Sequence, residues 1–176
     1  MSASIDPTLY RTVMGHHPTG VVVVTALVED APVGMVVGTF SAVSLDPPLV
    51  SFLPQRSSRT YARLRDAETF CVNVVAADQL ELCRTLAGRA PDRFDRIAWT
   101  TSPYGAPALD GVVARVHCHL AHRIEAGDHD IVMCAVDGME VVRSVAPLIF
   151  FSGQYGRFSP ATRSNAEDWL EFADFV

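Results

Sequence analysis

Ser57, Ser58, Arg59 and Thr60 stand in a row, placing three hydroxyls and a guanidinium just ahead of a helix-like segment, Ser58 to Asp66. Hydroxyl donors, a fixed cation and the free amides at a helix start are the groups that hold a phosphate. By residue type alone the same row also reads as an ordinary serine helix cap. Upstream lies a run of small residues, Gly38-Thr39-Phe40-Ser41-Ala42-Val43-Ser44. Such a run leaves backbone amides accessible to a flat ring, or packs a tight strand crossover; the pattern leaves both open. Taken together, the two stretches suit a planar heterocycle that carries a phosphate.

A second polar group is Gly127-Asp128-His129. As a plain loop, Asp128 and His129 pair with each other or cap a strand; as a site, His129 orients a ligand. His117, His119 and His122 suggest a metal cluster through strand alternation, but no carboxylate follows at matching spacing. No metal site is expected. Cys71, Cys83, Cys118 and Cys134 form no Cys-x-x-Cys pair and read as buried free thiols.

These groups must be positioned by a mainly β chain. Asp6-Pro7 has the form of a capped helix start leading into TLYRTVMGHH, with Gly15 at its end. Gly20 to Leu27 and Val33 to Thr39 are rich in β-branched residues around a turn at 29–32, which predicts a hairpin. Leu49 to Leu53, Phe70 to Val75, Gly111 to Arg123, Ile131 to Met139 and Leu148 to Phe151 continue the strand pattern. Two short helices interrupt it, at 58–66 and 79–86, the second with Asp78 and Glu81 in capping-box spacing. Strands dominate without regular helix alternation, which predicts a mostly antiparallel, closed or partly closed barrel rather than a doubly wound sheet.

Composition sets limits on partners. With 176 residues, 49% of them hydrophobic, a single domain is expected, with a core at about 6–158 and a tail at 159–176. The tail run Ala166 to Phe175 sets Trp169, Leu170 and Phe172 among acids and reads as a helix or a subunit contact. Charged residues are 19% and the net charge is −6, so no basic stripe serves nucleic acid and local donors must hold any phosphate. The apolar run Val21 to Val24 is far below the roughly 20 residues of a membrane span. No signal peptide is visible at the N-terminus, and a cytoplasmic protein is expected.

Five ordered segments carry a resemblance. They are PTGVVVVTA at 18–26, GMVVGTFSAVSLDPPLVSFLPQRSSRT at 34–60, AETFCVNVV at 67–75, GDHDIVMCAV at 127–136 and PLIFFSGQYGRF at 147–158. In these the chain resembles the flavin reductase family, small FMN-binding split barrels of Greek-key type. The resemblance implies an NAD(P)H:flavin oxidoreductase that reduces FMN or FAD with NADH or NADPH and supplies reduced flavin to a partner monooxygenase. It also implies a homodimer. Through it, Gly38, Thr39, Phe40, Ser41 and Ser44 become flavin contacts, with Ser57, Ser58, Arg59 and Thr60 at the phosphate. Gly127 and Asp128 lie by the nicotinamide, His129 orients it, and Tyr155 is the aromatic near the flavin. The chain has Cys134 where the family commonly has glycine nearby. Two other readings share this chemistry: an oxidase of the pyridoxamine-phosphate type, for which no second Arg/Lys cluster is evident, and a non-enzymatic flavin carrier.

Overall fold

The computed structural model describes residues 5–88, 90 and 92–160; the tail expectation at 166–175 lies outside them. Helix α1 (Pro7–Gly15) starts as predicted, with the Asp6 carboxylate accepting from the Thr8 and Leu9 amides. The strands that follow are β1 (Thr19–Gly20), β2 (Val22–Val28), β3 (Ala31–Val37), β4 (Ser41–Leu45) and β5 (Pro48–Phe52). Helix α2 (Arg59–Leu64), β6 (Thr69–Val74), helix α3 (Leu80–Ala87) and a 3-10 turn (Arg93–Arg96) come next. The chain then runs through β7 (Trp99–Thr101), β8 (Pro107–Leu109), β9 (Ala114–Ala126), β10 (His129–Val141), β11 (Leu148–Phe151) and β12 (Gln154–Arg157).

The main sheet is antiparallel, in the order β3-β2-β6-β9-β10-β5-β4. Its two edges, β3 and β4, are consecutive in the chain and joined only by Gly38, Thr39 and Phe40. Seven strands laid flat would separate those edges by about 29 Å, at roughly 4.8 Å per step. Val37 to Ser41 spans about 14 Å at full extension. The sheet must therefore roll up until its edges face each other, giving a barrel with one unpaired seam. The Gly38–Phe40 link crosses that seam.

Burial explains the sequence of β2. Val22, Val24 and Ala26 enter a core with Phe52, Phe70, Val132 and Cys134, while Val21 and Val23 pack on the other side with Leu86, Phe94, Leu109 and Leu148. A strand covered on both faces reads as an unbroken apolar run, as Val21 to Val24 does. Between these layers the buried Asn73 amide donates to Val23 O and Thr25 Oγ1 and accepts from Leu109 N, so its polar groups are satisfied. All four cysteines are buried and free.

Several local expectations change. Asp78 does not cap α3; it forms a bidentate pair with Arg143 at 2.9 and 3.0 Å, and Gln79 occupies the cap position with no side-chain bond to the helix. A cation from a distant loop outcompetes a few exposed amides for that carboxylate. The sequence pattern does not predict β4, β7, β8 and β12, because runs of three to five residues are too short to show a clear alternation. At the first hairpin the turn is only Glu29-Asp30, both at positive φ (50° and 61°), so Ala31 and Pro32 belong to the edge strand β3.

Candidate functional site

The loop after β5 connects the sequence-predicted groups. At the seam, Thr39 Oγ1 accepts from Leu53 N at 3.0 Å and faces Leu53 O at 3.2 Å, so its hydroxyl ties β3 to the end of β5. One residue on, Pro54 O accepts from Asp130 N, and Arg56 N donates to Asp128 O at 2.9 Å. Gln55 pairs with His129 as an isolated bridge. The loop thus lies against the turn that joins β9 to β10. In that turn Ala126 faces His129 across Gly127-Asp128, and Gly127 has φ +65°. A glycine first and a small acid second is what a two-residue hairpin demands.

His129 is half-buried, and its Nδ1 lies 2.8 Å from Asp128 Oδ1. The imidazole, by hydrogen bond and charge, holds the Asp128 carboxyl below the usual carboxylate range. Both side chains, with Gln55, Tyr10 and Arg11, line a cleft of about 610 Å³. Pairing of Asp128 with His129 fixes the ring without consuming its second nitrogen.

The same loop leads, two residues after Gln55, into a cationic cleft of about 550 Å³. Ser57, Arg59, Thr60, Arg63, Gly88 and Arg93 line it. Ser58 is the helix cap: its Oγ accepts from Tyr61 N at 3.2 Å, which leaves its hydroxyl hydrogen to donate elsewhere. Arg93 is aimed by three bonds, to Leu86 O, Gly88 O and Thr60 Oγ1. Burial, and then the facing charge of Arg63, lower the Arg93 pKa from its ordinary value. Among the described residues, none of Arg59, Arg63 and Arg93 is in an ion pair. Clustered guanidiniums without a carboxylate are an incomplete electrostatic arrangement that a bound anion would complete.

The remaining predicted residues fall along the seam. Phe40 is partly buried against the barrel core. Ser41 donates to Ala42 O at 3.0 Å and Ser44 follows on the same edge strand. Gly38 admits Thr19: a Cβ there would sit 2.6 Å from Thr19 Oγ1. Gly38 also meets Tyr155 and Phe150 around a smaller cavity of about 190 Å³. Cys83 Sγ and the Tyr155 hydroxyl lie 3.6 Å apart; that contact, with burial, pushes the phenol up to about 12. Tyr155 therefore has a packing role as well as a place at the seam.

The β9 histidines separate. His117 is buried and stacked on Tyr104, ring centroids 4.7 Å apart, while His119 pairs with Asp137 at 2.8 Å and His122 lies exposed beyond a β-bulge. Burial lowers the His117 pKa. No group of three or more metal-ligating side chains occurs among the described residues.

Four residues of the site escaped sequence reasoning. Arg63 had a usable signal, since it is one helical turn after Arg59 and so shares its face. Arg93 had none, because only the fold brings the turn after α3 to α2. Tyr61 and Asp130 are buried and joined, the Tyr61 hydroxyl donating to Asp130 Oδ2 at 2.6 Å. Burial, then that bond, push the Tyr61 phenol up to about 12.

Residues 14–159 match the model of the flavin reductase like domain. A flavin reductase from Pseudomonas putida is 43% identical over 158 residues, covering 89% of this chain and 93% of the relative. The reductase subunit of a flavin-dependent monooxygenase from Rhodococcus jostii (strain RHA1) is 40% identical over 157 residues, covering 89% and 80%. Among solved structures, the Streptomyces globisporus NADH:FAD oxidoreductase in complex with NAD and FAD fragments superposes with a TM-score of 0.84. It is 33% identical and covers 92% of this chain and all of that one.

Proposed function

Because the chain belongs to the flavin reductase-like family, we infer that it is an NAD(P)H:flavin oxidoreductase acting on FMN or FAD. The observation that carries the placement is the pair of clefts to which the 53–58 loop contributes, one cationic and one holding His129. Bound flavin supplies N5 as the acceptor of a hydride from nicotinamide C4. The chain's own part is proximity and orientation.

In this reading Arg59, Arg63 and Arg93, with Ser57, Ser58 and Thr60, hold the flavin phosphate. The seam residues Gly38, Thr39, Phe40, Ser41 and Ser44 offer backbone and hydroxyl groups to the ring, with Tyr155 near its edge. Gly127 and Asp128 shape the nicotinamide side, and His129 orients that ring rather than moving a proton. No acid–base dyad is needed, since the hydride passes between the two rings. Among the described residues no carboxylate pairs with the arginines of the cationic cleft, which supports the phosphate assignment.

The relative from Rhodococcus jostii is a monooxygenase subunit, which supports delivery of reduced flavin to a separate monooxygenase. We propose a homodimer, for which the exposed Leu9, Val13, Phe151 and Phe158 offer apolar surface. We also propose a cytoplasmic location; no described helix is long and apolar enough to cross a membrane. Anaerobic mixing of the protein with FMN or FAD and each nucleotide tests the activity. Rapid loss of flavin absorbance is expected with at least one nucleotide. Flavin binding without any bleaching would instead mark a carrier.

A further inference from the structure

Asp130 is the residue after His129 in β10, so the two side chains leave opposite faces of the strand. His129 faces its cleft, while Asp130 turns inward and is 2% exposed. A buried carboxylate is costly unless it is fully paired. This one is only partly paired: Oδ2 takes the Tyr61 hydroxyl at 2.6 Å, Oδ1 has no hydrogen-bond partner, and the nearest cation is Arg56 Nε at 3.6 Å. Arg56 is shared, because its two terminal nitrogens hold Glu125 at 3.1 Å each. An apolar residue would fill the position at lower cost, so stability alone does not explain the carboxylate.

Its connections do. Tyr61 belongs to α2, directly after Thr60 and two residues before Arg63, and its amide is the one that Ser58 caps. Asp130 N is bound to Pro54 O, and Arg56 N to Asp128 O. The Tyr61–Asp130 bond is therefore a strut between the helix that presents the cationic cleft and the strand that presents His129. We propose that Asp130, acting through Tyr61, is a positioning residue that fixes the distance and angle between the phosphate cleft and His129, and so holds flavin and nicotinamide in stacking register. This rests on the two-cleft reading given above.

The strut adds little to either binding step alone and much to their alignment. Tyr61→Phe deletes one hydroxyl and keeps the ring in the core; Asp130→Asn keeps an oxygen that accepts from Tyr61. The test is anaerobic stopped-flow with FMN and NADH at saturation, alongside separate titrations of FMN and NAD⁺. For Tyr61→Phe, hydride transfer should slow about tenfold, the long-wavelength charge-transfer absorbance of the stacked rings should weaken, and each binding constant should stay within about threefold. Asp130→Asn should recover most of the rate.

A merely structural strut gives a different result: the melting temperature falls while the transfer rate and charge-transfer band are unchanged, and that outcome overturns the proposal. Should Tyr61→Phe not fold, Asp130→Asn paired with Asp130→Ala carries the same comparison, and equal rates in the two would overturn it as well. Failure of the cleft assignment is read separately. There, Arg93→Lys would weaken FMN and riboflavin equally, whatever Tyr61→Phe does to the rate.

Discussion

Arg63→Ala separates a binding cleft from a structural cluster, because only the first predicts a loss confined to the phosphorylated ligand. In the flavin-free protein, Arg63 faces Arg93 and is one turn from Arg59, so it contributes repulsion. A like-charged pair one turn apart on a helix costs about 0.2–0.5 kcal/mol. Its place in the last turn of α2 returns a similar amount through the helix dipole. The net change in stability on removing it should lie within about 0.5 kcal/mol, in either direction. A charge-assisted contact to phosphate contributes about 1.5–3 kcal/mol when enclosed. Arg63 is exposed, so solvent screening brings the expectation to about 1 kcal/mol, or roughly fivefold in Kd. Fluorescence titration of wild type and variant with FMN and with riboflavin, plus urea unfolding without ligand, measures all terms. The expected pattern is a fivefold loss for FMN, less than twofold for riboflavin, and unchanged unfolding. Equal loss for both ligands, or a clear drop in stability, would mean that Arg63 supports the fold and does not hold a phosphate.

His129→Ala should raise the KM for NAD(P)H, or slow hydride transfer, by about an order of magnitude while leaving FMN affinity within about twofold; His129→Asn should retain more activity, as stopped-flow reduction would show. Gly38→Ala should destabilise the flavin-free protein by about 1–3 kcal/mol, since its Cβ would press on Thr19 Oγ1 at 2.6 Å, and adding Thr19→Ala should restore most of that in urea unfolding. If Gly38 serves only the flavin, the double variant will show no such rescue. Alkaline stability depends on Tyr61. Its folded pKa of about 12 lies above the ordinary 10, so the folded state binds the proton more tightly and stability falls as pH rises from 10 to 12. Tyr61→Phe should remove on the order of 2 kcal/mol of that decline, with a parallel slope in both proteins counting against the assignment.

Much of the barrel is legible in the chain because its strands carry strong local signals. The Val21–Val24 run, the β-branched residues of β3 and the apolar stretches of β6, β10 and β11 place those elements to within a few residues. Where hydrogen-bonding partners come from far away, the local signal fails. Asp78 has the spacing of a helix cap, yet Arg143 claims it. Ser58 shows the limit differently: cap and ligand donor are compatible roles, and only the geometry shows that its oxygen is used by Tyr61 N while its hydrogen is not committed. Arg59 and Arg63 share a helix face that periodicity reveals. Arg93 arrives through the packing of the turn after α3 against α2, which no window of the sequence contains. The Tyr61–Asp130 pair is hidden for the same reason, with its partners on α2 and β10.

Flavin reduction by this chain alone is measured by single-turnover reduction of bound FMN with NADH carrying deuterium at the transferred position of C4, followed anaerobically without any other protein. The flavin absorbance should disappear in one phase, slowed by the isotope, because the step observed is hydride transfer between the two rings held by this chain. If FMN binds and neither NADH nor NADPH bleaches it, the chain is a flavin carrier and not a flavin reductase.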